Sequence, residues 1–576
     1  MTLKAHPRSP EALPYAVVKR APAQQFLVLG SAYLGVDPAV AAVLKQYAKF
    51  NGMQPIHSGP VATREEVNMY RFRQHKVKTL EKIRAKEKFG LSVGDDETDD
   101  ILAQAYEDLC SGVKFSSLPW DDYTEDELEQ GDIRVLRTQL SLMVQDVRYR
   151  AEMDELVKAV QNRINVLVAF FPGIKFLYGT MDVLDPENPP SEMTGSANLG
   201  THFRPSKYIG LTSMMANGPK ITHWPITART LKSLKKMKHS WILPHPIVQA
   251  ESHARPGLNN ADNFFTTGRL SFPDAITHTS EIHYASHLPG AVALTLDKDG
   301  TFFARNIIVE QTDDGHPFTL EDDRVFTDTG LALLSAEQIV VGITDTHCPH
   351  DHKGTKACFH AAGVELAPGH VVDCGDATDF ESVSPFVLKT PGEQEGKRLG
   401  ADIQSLVDHL DLVGSINPQA TKVLVDSNHH EWVSKFVDKN PALKDMLHWR
   451  KLGERFEGWV TMIREAGDNV IHKIADMNFR HGDQESVEKA EEIFGKYVGG
   501  HYHRFRRLGH CLSVGPAAKL GPKYLQGNIT AWQSQFFTVG SYQGKALNQA
   551  KTVLHVGKSS KTVLRNQIIE VTLLTA

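Results

Sequence analysis

The sequence predicts an α/β protein built in layers, a β-sandwich flanked by helices. Short apolar runs recur at Ile339-Val340-Val341-Gly342-Ile343, Val371-Val372 and Val423-Leu424-Val425, each giving way to a polar loop. Helix-favouring segments lie between and after them, at roughly 396–413 and 430–438. Strands that alternate with helices point to a sheet covered by helices. Composition agrees: 576 residues with 41% hydrophobic and 23% charged side chains are ordinary globular usage, which excludes a collagen-like, rod-like or disordered chain.

The elements follow in chain order. Residues 1–24 read as a polar leader. Phe26-Leu27-Val28-Leu29 reads as a buried strand ending at Gly30. Residues 71–88 are basic and favour helix, residues 132–164 read as a long helix, and the apolar run Val166-Leu167-Val168-Ala169-Phe170-Phe171 follows. Residues 183–220, rich in Pro, Gly, Ser and Asn, read as irregular surface structure. The acidic, turn-rich stretch 311–335 reads as a linker. This divides the chain into an N-terminal domain, 25–310, and a second domain, 336–576.

The first domain carries echoes of the second. Asn263-Phe264-Phe265-Thr266-Thr267-Gly268 is similar to Gln535-Phe536-Phe537-Thr538-Val539-Gly540, and Arg305-Asn306-Ile307-Ile308 to Arg565-Asn566-Gln567-Ile568. The strand ending at Gly30 matches the one ending at Thr344, and the run ending at Gly59 the one before Asp376. Short matches also arise by chance in a long chain. Read as a duplication, they predict that 25–310 is a degenerate copy of the second domain. Gly30-Ser31-Ala32-Tyr33, His57-Ser58-Gly59-Pro60 and Gly179-Thr180-Met181-Asp182 stand where the second domain carries its chemistry.

No apolar run reaches the roughly 18 residues of a membrane-spanning helix, and the N-terminus holds no apolar stretch of signal-peptide length. Five cysteines without a C-x-x-C pair fit a reducing compartment, so the expected location is cytoplasmic. Net charge is −6, from 63 basic and 69 acidic residues, so contact with phosphates needs local cations or metal ions.

The 27 histidines matter by position. Asp345-Thr346-His347, Gly375-Asp376, Ser427-Asn428-His429-His430-Glu431, His481-Gly482-Asp483 and Gly500-His501-Tyr502-His503 follow one another at the ends of apolar segments. In open α/β sheets that edge binds ligands. Carboxylates, imidazoles and an amide oxygen suit Mn, Fe, Zn or Ni rather than thiolate-seeking ions. The set exceeds the four ligands of a structural zinc. It suits two ions about 3.5–4 Å apart, which hold a bridging hydroxide and clamp a phosphoryl group in line.

These motifs, in this order over about 340–510, resemble the calcineurin-like metallophosphoesterase superfamily. The resemblance implies that Asp345, His347 and His503 bind one ion, that Asp376 bridges, and that Asn428, His481 and His501 complete the second. It implies that His429 is the catalytic imidazole, with His430 beside it as the other imidazole of the motif. Ser427 departs from the glycine usual there. The chain plan is also similar to tailed-phage early nucleases of host-DNA degradation and DNA transfer, related to double-strand-break repair nucleases. That implies a manganese-dependent DNase of the host cytoplasm, often an oligomer; Fe, Zn, Ni and Mg are the other candidate ions. A phosphomonoesterase acting on phosphoprotein or nucleotide is the alternative.

Three features point to nucleic acid. Arg504, Arg506 and Arg507 follow the last histidine motif, and arginine matches phosphate geometry. Residues 220–241, with Lys232, Lys235 and Lys236 beside Trp224 and Trp241, mix cations with rings that can stack bases. The basic stretch 71–88 can track a backbone. A solvated helix face also explains each of the last two.

Overall fold

The computed structural model describes residues 14–30, 32, 35–58, 155, 158–177, 202–212, 239–254, 261–272, 287–385, 396–443, 458–462, 471–482, 486–520 and 531–574. The chain divides into two compact units, one of residues 1–60, 168–179 and 192–576, the other of residues 61–167 and 180–191. In the second unit the described residues are helical. The first unit holds all that follows. The basic stretch 71–88 and Lys232, Lys235 and Lys236 lie outside the described residues. Among the described residues no helix is long and apolar enough to cross a membrane.

In chain order the first half comprises β1 (Tyr15–Arg20), β2 (Gln24–Leu29), α1 (Pro38–Phe50), β3 (Gln54–His57), β4 (Lys175–Phe176), β5 (His202–Ser206), β6 (Ile209–Thr212), β7 (Ser240–Leu243), β8 (Gln249–His253), β9 (Asp262–Thr266), β10 (Gly290–Leu296) and β11 (Phe302–Ile308). The chain continues through β12 (Glu310–Gln311), β13 (Pro317–Glu321), β14 (Arg324–Thr327) and β15 (Leu331–Leu333). Then come β16 (Ile339–Ile343), α2 (Lys353–Leu366), β17 (His370–Asp373), α3 (Leu399–Gly414), β18 (Thr421–Val425), α4 (Asn428–Lys439) and β19 (Trp459–Met462). The last stretch is β20 (His472–Ile474), β21 (Met477–Phe479), α5 (Val487–Phe494), β22 (Tyr497–Gly499), β23 (Arg506–Leu508), β24 (Cys511–Ser513), β25 (Gln535–Tyr542), β26 (Lys545–Thr552), β27 (Leu554–Val556), β28 (Ser559–Leu564) and β29 (Gln567–Leu573).

Local chemistry explains the main elements. β16, Ile-Val-Val-Gly-Ile, is buried throughout, as a central strand covered on both faces should be. Its Gly342 makes room for Phe537, whose ring atoms would lie 2.0 Å from an added Cβ. α1 starts where the Asp37 carboxylate accepts the Ala39 and Val40 N–H groups at 3.0 and 3.4 Å, with Pro38 in the first turn.

Two sheets share one topology. In the first half β2, β3 and β4 run parallel, and β10 and β11 add antiparallel on the other side, giving β11-β10-β2-β3-β4. In the second half β16 to β19 run parallel, and β25 and β26 add in the same way, giving β26-β25-β16-β17-β18-β19. Leu29 faces His57 as Ile343 faces Asp373. The next N–H repeats too, from Ser58 to the Leu29 carbonyl at 3.0 Å and from Cys374 to the Ile343 carbonyl at 2.9 Å.

A third sheet joins the halves in the order β20-β21-β22-β24-β23-β8-β9-β7-β6-β5. Strand directions are mirrored about its centre: β5-β6 and β20-β21 are antiparallel, and β6-β7-β9 and β21-β22-β24 are parallel. The central pair β8-β23 is antiparallel, with Ala250 opposite Arg507. One core draws on this sheet (Ile242, Phe265, Phe479, Leu512) and on both others (Val28, Val292, Val372, Phe537). The ten-stranded sheet is thus one layer of a sandwich. Each such buried side chain contributes about 1.5–3 kcal/mol. On the outer face of the six-stranded sheet, Val341 and Ile343 pack with Ala357, Phe359 and Ala362 of α2.

The layered α/β expectation therefore stands as a mixed α/β architecture of several sheets, and three sequence readings need correction. Residues 15–20 of the supposed leader form β1, paired with β29 from Tyr15 opposite Leu573 to Arg20 opposite Ile568. The stretch 311–335 is mostly β-meander, β12 to β15, rather than a linker. The peptide echoes are out of register: β9, with Asn263, occupies the place of β24, whereas β25, with Gln535, occupies that of β10. Likewise Arg305 lies in β11, but Gln567 to Ile569 lie in the separate sheet of β29. Phe-Phe-Thr is a common strand composition, so likeness of short peptides reports β propensity rather than position.

Candidate metal centre

Each ligand candidate leaves the end of a strand or opens a helix. Asp345 and His347 follow β16, Asp376 follows β17, Asn428 and His429 open α4, His481 follows β21, and His501 and His503 follow β22. Asp345, His347, Asp376, His501 and His503 all take left-handed backbone angles, φ between 49° and 70°. That costs roughly 1–3 kcal/mol per non-glycine residue and concentrates at functional sites.

The side chains converge. Asp345, His347, Asp376 and His503 bring ligand atoms within 4.8 Å of one another, and so do Asp376, His481 and His501. Asp376 belongs to both groups. His347 Nε2 and His503 Nε2 are 3.0 Å apart, His503 Nε2 and Asp345 Oδ1 3.3 Å, His481 Nε2 and Asp376 Oδ2 3.1 Å, and His481 Nε2 and Asn428 Oδ1 3.0 Å. Two atoms each about 2.1 Å from one ion, at right angles, lie about 3.0 Å apart. The donor set fits divalent ions on that ground, and these buried groups can hold them.

Backbone and neighbours fix the ligands. The His501 N–H donates to both Asp345 oxygens at 2.9 and 3.0 Å, and Thr344 Oγ1 donates to Asp345 Oδ2 at 2.9 Å. Gly500 must be glycine, because a Cβ there would lie 2.1 Å from Asp345 Oδ2. Ser427 has a purpose in place of glycine: its hydroxyl accepts the Asp376 N–H at 3.0 Å. Asp373 accepts the Gly375 N–H at 2.9 Å and meets His409 at 2.7 Å, tying down the turn that presents Asp376.

Burial alone would raise the Asp376 carboxyl; the charges of His429, His481 and His347 outweigh it and hold it well below the usual carboxylate range. Burial likewise opposes the charged form of Asp345, and His503 and His481 prevail to lower it. His429 is pulled down by burial but raised on balance by Asp376 and Asp379.

Sequence reasoning missed Asp379. Its Oδ1 lies 3.1 Å from His347 Nδ1 and 3.1 Å from His429 Nδ1, and its main-chain oxygen lies 2.9 Å from His429 Nδ1. The available signal was the Asp-x-x-Asp spacing from Asp376. The two imidazoles of the Asn-His-His motif also part company. His429 turns its Nε2 to within 3.8 Å of Asp376, whereas His430 is fully buried against Phe380 and Asp426, its basicity lowered to about 3 by burial.

The arginines separate as well. Arg507 is buried and donates to Asn548 and to the Gly509 carbonyl, so it is a structural residue and cannot meet a substrate. Arg506 forms a two-pronged pair with Glu488. Arg504 is exposed.

No protein-family model and no curated protein matches the chain. Among solved structures it is similar to a single mutant of Vps29 from Entamoeba histolytica, at 12% identity and TM-score 0.21 over 41% of this chain and 99% of that one. It is also similar to Vacuolar Protein Sorting 29 from Cryptosporidium parvum, at 13% identity and TM-score 0.20 over 42% and 100%. The geometry of the site carries the functional reading.

Proposed function

We propose that the chain is a metallophosphoesterase that hydrolyses phosphodiesters, with DNA as its substrate. The observation that carries the reading is the membership of Asp376 in two convergent ligand groups. Asp345, His347 and His503 would hold one divalent ion and Asn428, His481 and His501 a second, with Asp376 shared. Bound ions would supply Lewis-acid charge beside the phosphoryl oxygens. His429 supplies the proton. As water adds to phosphorus and gives up one proton to solvent, the P–O bond breaks and the leaving oxygen takes the Nε2 proton while Asp379 holds Nδ1; the imidazole then regains a proton from solvent. Manganese in the host cytoplasm, a phage origin and assembly of several copies belong to this reading through the sequence resemblance alone.

The N-terminal half is read as a degenerate copy of the metallophosphoesterase fold. Supporting this are the shared sheet order and the mirrored ten-stranded sheet. The sequence counterparts of Asp345, His347, Asp376, Asn428 and His481, namely Ser31, Tyr33, Pro60, Thr180 and Ser213, lie outside the described residues and offer no imidazole or carboxylate; counted from the paired strands, His245 stands for His501 and Ile247 for His503. A single imidazole cannot hold an ion pair, so the copy would be structural.

The test is metal loading followed by parallel assays on bis-p-nitrophenyl phosphate, p-nitrophenyl phosphate and plasmid DNA. Diester and DNA hydrolysis that depends on a divalent ion is expected, with both ions lost in Asp376→Asn. A preference for the monoester would favour the phosphatase alternative, and inactivity with every divalent ion would end the reading.

A further inference from the structure

Three aromatic side chains stand against three different imidazoles of the centre. The Trp432 ring stacks on His429 with centroids 3.9 Å apart and planes at 28°. Trp532 meets His503 edge-on at 4.4 Å. Tyr502, between His501 and His503, meets His501 edge-on at 5.1 Å and is 46% exposed. Trp432 and Trp532 are only partly buried. Arg504, exposed on the same loop as Tyr502, forms a backbone bridge with Trp532. Flat rings thus rim a charged centre, with a cation one step further out.

We propose that the centre takes an unpaired polynucleotide strand, whose bases next to the scissile phosphate stack on Tyr502 and the rim tryptophans while Arg504 meets a neighbouring phosphate. This rests on the phosphodiesterase reading above. A phosphorylated serine or other alkyl phosphate offers no flat face to such a rim. A duplex hides its base faces against each other, whereas an unpaired base presents one, and aromatic stacking takes any base. The acidic chain gives no general pull on a polyanion, so flat apolar contact and one local cation must supply the grip.

The test uses the full, manganese-loaded chain and four substrates: bis-p-nitrophenyl phosphate, a single-stranded oligodeoxynucleotide, its duplex, and the same single strand with abasic positions beside the cleaved bond. The single strand should exceed the duplex in kcat/KM by at least about tenfold, and abasic positions should raise KM by about tenfold, the scale of one lost stack. Tyr502→Ala should raise KM for the strand with kcat little changed, and Tyr502→Phe, which keeps the ring, should restore it. Equal cleavage of strand and duplex, or an unchanged KM for the abasic strand, would overturn the proposal while aryl diester hydrolysis left the phosphodiesterase reading standing. Failure to hydrolyse the aryl diester would remove both.

Discussion

Asp379 holds one nitrogen of His429 with two oxygens: its main-chain oxygen lies 2.9 Å and its carboxylate 3.1 Å from His429 Nδ1. The same carboxylate reaches His347, so one side chain orients both a ligand candidate and the proposed proton donor. Asp379→Ala should therefore weaken metal retention and slow turnover together, each by roughly 10–100-fold. Metal titration and steady-state rates check this; unchanged values for both would show that the imidazoles orient themselves.

His429 and His430 should behave oppositely. His429→Ala should keep its metal and lose roughly 10²–10⁴-fold in rate. His430→Ala should keep most of its activity and lose about 1–3 kcal/mol of stability, because a buried ring is removed. Metal analysis, rates and denaturant midpoints on the two variants decide; exchanged phenotypes would mean that the other imidazole is the proton donor.

Gly500→Ala should damage the centre without replacing a ligand. The new methyl would press on Asp345 Oδ2 and Thr344 Oγ1, both 2.1 Å away. Loss of metal from a protein that still unfolds cooperatively is the expected result. A variant that binds metal normally would show that the loop can give way.

The three arginines should separate in DNA binding. Arg504→Ala should weaken binding and reduce the salt slope, by up to about 0.9 for a lost duplex phosphate or about 0.7 for a single-strand one. Arg506→Ala, which frees Glu488, should do little, and Arg507→Ala should destabilise the fold by stranding Asn548. Binding isotherms at several salt concentrations and melting curves test the division.

Acid should weaken the junction of β28 with the β10–β11 turn. Burial opposes the charged form of Asp299, but Thr301 and Lys561 outweigh it and lower its carboxyl to about 2. The unfolded value is near 3.9. A depressed folded value means that the stabilisation is complete above the unfolded value and fades as pH falls from about 4 toward 2. The stability gap between wild type and Asp299→Asn should therefore narrow between about pH 5 and about pH 2.5. Urea midpoints at both pH values measure it, and a constant gap would contradict it.

Some of this was legible in the sequence because it is local. Apolar runs that stop at Asp345, Asp376 and Asn428 mark strand ends, and strand ends are where such residues meet. The ligand types needed no distant partner to be recognised. Asp379 was readable in principle from its spacing, but its role depends on which way two imidazoles face. Only the tertiary structure decided the rest. β1 is mostly exposed, Val17 and Val18 included, and becomes a strand because β29, over 500 residues later, supplies its hydrogen bonds. Arg507 resembles a phosphate ligand until packing puts it opposite Ala250 at the centre of the ten-stranded sheet, where Asn548 oxygens accept its hydrogen bonds. The shared order of two sheets is invisible in peptides of a few residues, because strand pairing is set by backbone hydrogen bonds and buried faces that many sequences satisfy.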